Sequence, residues 1–178
     1  MQGGILRRIR AGLPLMALAS IAGCASAKIS APQHLQPLPE TVEAVALAPS
    51  GGVLADAIGT ELFNLGFRVV DTQQTSSFLV RMNLDEIELL EHKSLAAFQE
   101  RGVGAVLSVK SIGGYDGKPQ SATVRVISTR SGELIGAVNW QNGRGGAHGS
   151  PADAMMRKDI VGASEQIGKA LSTQLRRR

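Results

Sequence analysis

The 178-residue sequence has a single cysteine, Cys24. An intrachain disulfide is excluded, so the fold must be held by packing alone. Aromatic residues make up only 3% of the chain against 43% apolar residues overall. The core is therefore expected to consist of Val, Leu, Ile and Ala. There are three histidines, His34, His92 and His148, each in an expected loop or on a polar surface. No serine lies in a G-x-S-x-G elbow, so the parts of a hydrolytic triad are missing. No apolar run reaches the roughly 20 residues of a membrane-spanning helix. The uncharged stretch Ala11–Gly23 has 13 residues and is broken by Pro14.

That short stretch is also the most informative part of the chain. Arg7, Arg8 and Arg10 precede it and Cys24 follows it. A basic segment, a short apolar core and small residues at its end are the components of a secretory signal. The sequence Ile21-Ala22-Gly23-Cys24 resembles the lipobox of bacterial lipoproteins. The resemblance implies a diacylglyceryl thioether on Cys24, cleavage of residues 1–23, and acylation of the new amino group. Sulfur suits the attachment because a thiolate is a strong nucleophile, and Ala22 and Gly23 are small enough for the scissile backbone to enter a protease site. The alternative is an ordinary signal followed by a chance cysteine, which would leave an unpaired thiol on an exported protein. Residue 25 is Ala and not Asp, which in lipoproteins of enteric-type bacteria implies the outer membrane, at its periplasmic face.

The formal charge of +4 belongs mostly to the leader. Removing its three arginines from nineteen cations leaves sixteen against fifteen carboxylates. Three of those sixteen are Arg176, Arg177 and Arg178 at the C-terminus, so the body between is slightly acidic. A nucleic-acid-binding surface is not indicated.

Residues 24–41 hold Pro32, Pro37 and Pro39 and show neither helical nor strand periodicity. The 17 residues after Cys24 read as a tether, able to reach roughly 50 Å when extended. Residues 42–178 read as one domain. Val42–Pro49 alternates as a strand and Ser50-Gly51-Gly52 turns into a helix over 53–65, with Leu54, Ile58, Leu62 and Leu65 on one stripe. Gly66 stops it, and 67–71 is a second strand. A short helix is expected over 75–82 and another over 94–101, while 83–91 stays open between helical turn, strand and loop. Strands over 105–113, 121–129 and 133–141 follow, separated at hairpin spacing by Asp116-Gly117 and Ser131-Gly132. Their alternation predicts one buried face and one wetter face. Ser150-Pro151-Ala152-Asp153 opens a final helix, with Met156, Ile160, Ala163, Ile167, Leu171 and Leu175 on one stripe. The order β-α-β-α-β-β-β-α predicts an α/β (α+β) body: one mixed sheet of about five strands with helices packed on it.

Three pieces carry a family resemblance: LADAIGTELFNLGFRVVD after a Gly-Gly turn, LAAFQERGVGAVLSVKS, and SATVRVISTRSGELIGA. They resemble the periplasmic domain of the curli-secretion lipoprotein family (CsgG-like). Lipoproteins such as FlgO, the lipoprotein activators of penicillin-binding proteins, and the amino-terminal domain of TolB share that layout. The resemblance implies a non-catalytic envelope assembly or accessory role and an envelope protein partner, with an oligomeric ring as one arrangement. The paired barrel hairpins of the pore-forming member have no counterpart, because the strands here are already needed for the sheet.

Candidate chemistry is sparse. Gly143–Gly149 follows a strand and opens a helix as a dinucleotide loop would, but His148 occupies the third glycine position and no strand follows. The loop reads as a flexible connector. Glu88, Glu91 and His92 would share a face if helical and could ligate a metal, but such a cluster on a polar stretch reads as a solvated face. Asp56, Glu61 and Asp71 form no acid–base pair. No catalytic, cofactor-binding or metal residue is assigned. Cys24 is the one site residue, its covalent lipid the only added group, and the membrane the first partner. An envelope enzyme with a pocket near Asp71, Glu88 or His148 is the competing reading.

Overall fold

A computed structural model describes residues 26–32, 38 and 41–177. Cys24, Ala25, His34 and the signal lie outside the described residues, so the lipidation and leader readings are not addressed by it. The elements are β1 (Lys28–Ser30), β2 (Ala44–Leu47), α1 (Gly52–Asn64), β3 (Arg68–Val70), α2 (Thr72–Arg81), α3 (His92–Glu100), β4 (Ala105–Gly113), β5 (Pro119–Ser128), β6 (Leu134–Gln141), α4 (Pro151–Met156) and α5 (Ile160–Leu175). The strands form one open six-stranded sheet in the order β1-β6-β5-β4-β2-β3. β2 runs parallel to β3 and β4, and the β4–β5–β6 meander is antiparallel. The mixed α+β body with one sheet is as the periodicity predicts.

One sheet face is fully covered. Val45, Leu47, Leu107, Val124, Val126, Val138 and Trp140 point to it, and α1 and α5 close over them with Leu54, Ile58, Leu62, Ala163, Ile167, Leu171 and Leu175. These are the two stripes read from the sequence. The opposite face is covered only over β2 and the start of β4, where Ala46 and Val106 meet Phe78, Leu79, Leu95 and Phe98 of α2 and α3. The rings of Phe78 and Phe98 meet edge-on at 4.6 Å. Beyond that patch the meander shows Ser108, Lys110, Thr123, Arg125 and Asn139 to solvent or near it, the wetter face its alternation predicts.

Two expectations are corrected, and one stretch left open is defined. First, the expected tether is not free throughout: its residues Lys28–Ser30 pair antiparallel with β6 and add a sixth strand to a sheet expected at about five. All three residues are exposed. Backbone hydrogen bonds hold this edge strand, and they leave no hydrophobic pattern to read. Second, the final helix is two helices. Arg157 is extended, with φ −81° and ψ 128°, and Asp159 restarts the chain by accepting from Gly162 N–H at 2.8 Å. Ser150 caps α4 as its spacing suggests, accepting from Asp153 N–H. The stretch left open, 83–91, holds no helix that Glu88 and His92 could share. Residues 86–90 form a 3₁₀ turn, Glu91 is extended at ψ 154°, and His92 opens α3. Glu88 instead accepts the N–H of Asp85 at 2.8 Å, a capping box that consumes its carboxylate.

Candidate functional site

The most built polar constellation lies at one end of the sheet, where the β4–β5 hairpin, residues 143–149 and α4 meet. Asp153 is 2% exposed. Its Oδ2 accepts the Tyr115 hydroxyl at 2.9 Å and the Gly149 N–H at 3.2 Å, and its Oδ1 accepts the Gly145 N–H at 3.2 Å. The Gly149 N–H, the Tyr115 hydroxyl and the Gly145 N–H, helped by Arg157, outweigh burial and hold the Asp153 carboxyl below its ordinary range. The same hydrogen bond to Asp153, followed by burial, raises the Tyr115 phenol above its ordinary value.

Beside it, Asp116 and Arg157 form a bidentate pair, Nε to Oδ2 at 2.9 Å and Nη2 to Oδ1 at 3.2 Å. Arg157 is 7% exposed, so this guanidinium is out of water and needs its partner. Burial pushes the Asp116 carboxyl up, but Arg157 and the Lys118 N–H bring it below its ordinary range. Lys118 Nζ donates to the carbonyls of Ala154 and Arg157, at 2.9 and 3.2 Å. Asn142 ties the base of the loop, donating to Pro119 and Lys158 carbonyls and accepting the Lys158 N–H at 2.8 Å.

Residues 143–149 are therefore not the flexible connector expected. Gly143 and Gly145 are buried, and Asp153 fixes the backbone at two points. A Cβ at Gly145 would lie 2.3 Å from the Ala152 carbonyl oxygen, so the residue is glycine because helix α4 passes too close for anything larger. What the constellation does chemically is clamp. Both carboxylates are spent on donors within the protein, and its outward features are the half-exposed Tyr115 ring and the His148 ring 4.3 Å from it.

The other sequence candidates are scattered. Asp71 caps α2 through Gln74 N–H at 2.7 Å, at the rim of a groove of about 650 Å³ between α1 and α2. Asp56 accepts the Thr72 hydroxyl at 2.8 Å. Arg176 donates to the Leu65 carbonyl and covers the Phe67 ring at 5.1 Å, while Arg177 donates to the Ile135 carbonyl at 3.0 Å. The basic C-terminus thus ties helix ends and strand ends at the far end of the sheet. Arg178 lies outside the described residues. Among the described residues no three His, Cys, Asp or Glu side chains group as metal ligands, and no helix is long and apolar enough to cross a membrane.

No family model and no curated protein matches the chain. Solved structures do match. One is a PelC dodecamer from Paraburkholderia phytofirmans, 15% identical, covering 85% of this chain and 99% of that one, with a TM-score of 0.48. Another is the lipoprotein GNA1162 from Neisseria meningitidis, 15% identical, covering 72% of this chain and 99% of that one, with a TM-score of 0.48. Likeness at this level concerns the path of the chain and carries no function across.

The sequence reading missed the Asp153 and Asp116–Arg157 clamps. Asp153 was visible only as the third residue after a serine cap, and Asp116 only as half of a hairpin turn. The pairing of Asp116 with Arg157 joins residues 41 apart, a distance at which no local pattern operates.

Proposed function

We propose that the protein is a lipid-anchored accessory module of the bacterial envelope, held to a membrane through Cys24 and working by contact with an envelope partner and without catalysis. The observation that carries this reading is the succession of basic segment, short apolar core and Ile21-Ala22-Gly23-Cys24, followed closely by a folded body. The resemblance to the curli-secretion lipoproteins belongs to the same reading and adds the accessory role, and Ala25 in place of aspartate after Cys24 adds the periplasmic face of the outer membrane as the location. In this reading the acyl chains contribute about 0.8 kcal/mol per buried CH₂, and two or more chains anchor stably.

The Cys24→Ala chain tests it. Expressed with its leader in a Gram-negative host, it should leave the carbonate-washed membrane fraction or accumulate with residues 1–23 attached. Recovery of Cys24→Ala in that fraction at the mature mass would refute the reading.

A second arrangement, an oligomer built head to tail, has one observation in its favour. The sheet ends in two short strands of different kinds, β1 and β3, and unlike edges that pair between copies give a heterologous interface. The mass of the native particle in detergent distinguishes it from a monomer.

A further inference from the structure

β1 changes what a lipid on Cys24 can hold. Lys28 pairs with Gln141, Ile29 with Trp140 and Ser30 with Asn139. Lys28 therefore lies at the C-terminal end of β6, beside Asn142 and the 143–149 loop. Only Ala25, Ser26 and Ala27 separate it from Cys24. An extended chain spans at most about 3.3–3.6 Å per residue, so four steps keep the Cys24 Cα within about 14 Å of the sheet. The long leash expected from sequence is cut to a short one. A lipid on Cys24 would then hold the clamped end of the sheet towards the bilayer and leave the end that carries Thr41, Phe67 and Arg176 farther from it.

The end so presented has the composition a headgroup layer takes up. Ile112 is 62%, Tyr115 52% and Met155 86% exposed. Lys28 and Arg144 are exposed cations at the same end. Two of the carboxylates there are engaged, Asp153 buried under its three donors and Asp116 paired with Arg157, while Asp159 is exposed and caps α5. An aromatic ring with apolar neighbours suits the membrane interface, and unmatched cations suit anionic headgroups. The Asp153 and Asp116–Arg157 bonds hold the two loops rigid, so the surface is preformed.

We propose that the end marked by Ile112, Tyr115 and Met155 docks on the anionic phospholipid headgroups of the membrane that holds the anchor, with Lys28 and Arg144 against lipid phosphates. Its orientation rests on the acylation of Cys24 proposed above.

The test uses the full, processed chain in vesicles of phosphatidylethanolamine and phosphatidylglycerol whose acyl chains are brominated. Natural Trp140 is 1% exposed and supplies a constant background. Met155→Trp places a reporter at the docked end, and Phe63→Trp places one near the end of α1 that points away. For a side chain about 5–10 Å into the headgroup boundary, bromine should quench Met155→Trp about twofold or more over Phe63→Trp. Lys28→Glu with Arg144→Glu should reduce that difference without releasing the chain from the vesicles. Equal quenching of the two reporters overturns the proposal. So does protection of Met155→Trp that grows with protein concentration, since the surface then belongs to a second copy. If intact mass shows Cys24 bare, the anchor reading fails by itself. The unacylated chain must then still show stronger Met155→Trp quenching with these vesicles at low salt, and its absence overturns the docking as well.

Discussion

Asp153 sets the behaviour of the clamped end because three donors converge on one buried carboxylate. Asp153→Ala leaves the Gly145 and Gly149 N–H groups and the Tyr115 hydroxyl without their acceptor; the Gly145 N–H is buried, and a buried donor left unmade is costly. The variant should melt below the parent and lose ordered signals for residues 143–149 in NMR spectra. An unchanged Tm would show that the three contacts contribute nothing. The pH dependence follows from the same groups. Asp153 and Asp116 are held below the ordinary carboxylate range, so in acid the unfolded chain binds more protons than the folded one. Their contribution is present above that ordinary range and is lost as pH falls through the lowered values. The acid limb of a stability-versus-pH curve should therefore be shallower in Asp153→Ala than in the parent. Gly145→Ala addresses packing at the same place. With the Ala152 carbonyl oxygen 2.3 Å from the new Cβ, α4 must shift, at a cost of about 1–3 kcal/mol in denaturant unfolding.

The elements divide by what their sequence must satisfy. α5 is buried through Ile167, Leu171 and Leu175, each at 1% exposure or less. Leu171→Ala should cost about 2–5 kcal/mol by cavity formation, read as a lower denaturant midpoint with an unchanged slope. β1 behaves differently. Ser30→Pro removes the N–H that faces Asn139 in a three-residue edge strand, so unfolding should lose only about 1–2 kcal/mol, the worth of one or two hydrogen bonds. Amide exchange at Asn139 and Gln141 should nevertheless speed up, because β6 loses its neighbour. Unchanged exchange there would show that β1 is not paired in solution. This contrast also explains what was legible. α1, α5 and the meander bury repeating apolar faces, so their periodicity wrote them into the sequence. β1 buries almost nothing, and the break between α4 and α5 depends on Arg157 reaching Asp116 across the fold. Residues 83–91 stayed open for a related reason: the capping box at Asp85 and the extended Glu91 set a boundary just before α3, and no apolar period marks it.

At the scale of the whole molecule, one open sheet is packed on both sides near β2 and on one side only across the meander. The polar clamp sits at the end from which the chain leads back to Cys24, and the arginine-tied helix ends sit at the other. In the proposed reading that polarity connects the signal-like leader to the folded body, since a chain fastened at Cys24, four residues before β1, would have one end close to its anchor and one end free for a partner. The proposed role depends on the chemistry of Cys24. Intact-mass measurement of the full-length gene product, recovered from Gram-negative membranes, tests it most directly. It should give a chain that begins at Cys24 and carries the added mass of a diacylglyceryl group and an amide-linked acyl chain. A mass that retains residues 1–23, or one cut there with an unmodified thiol, would contradict the account.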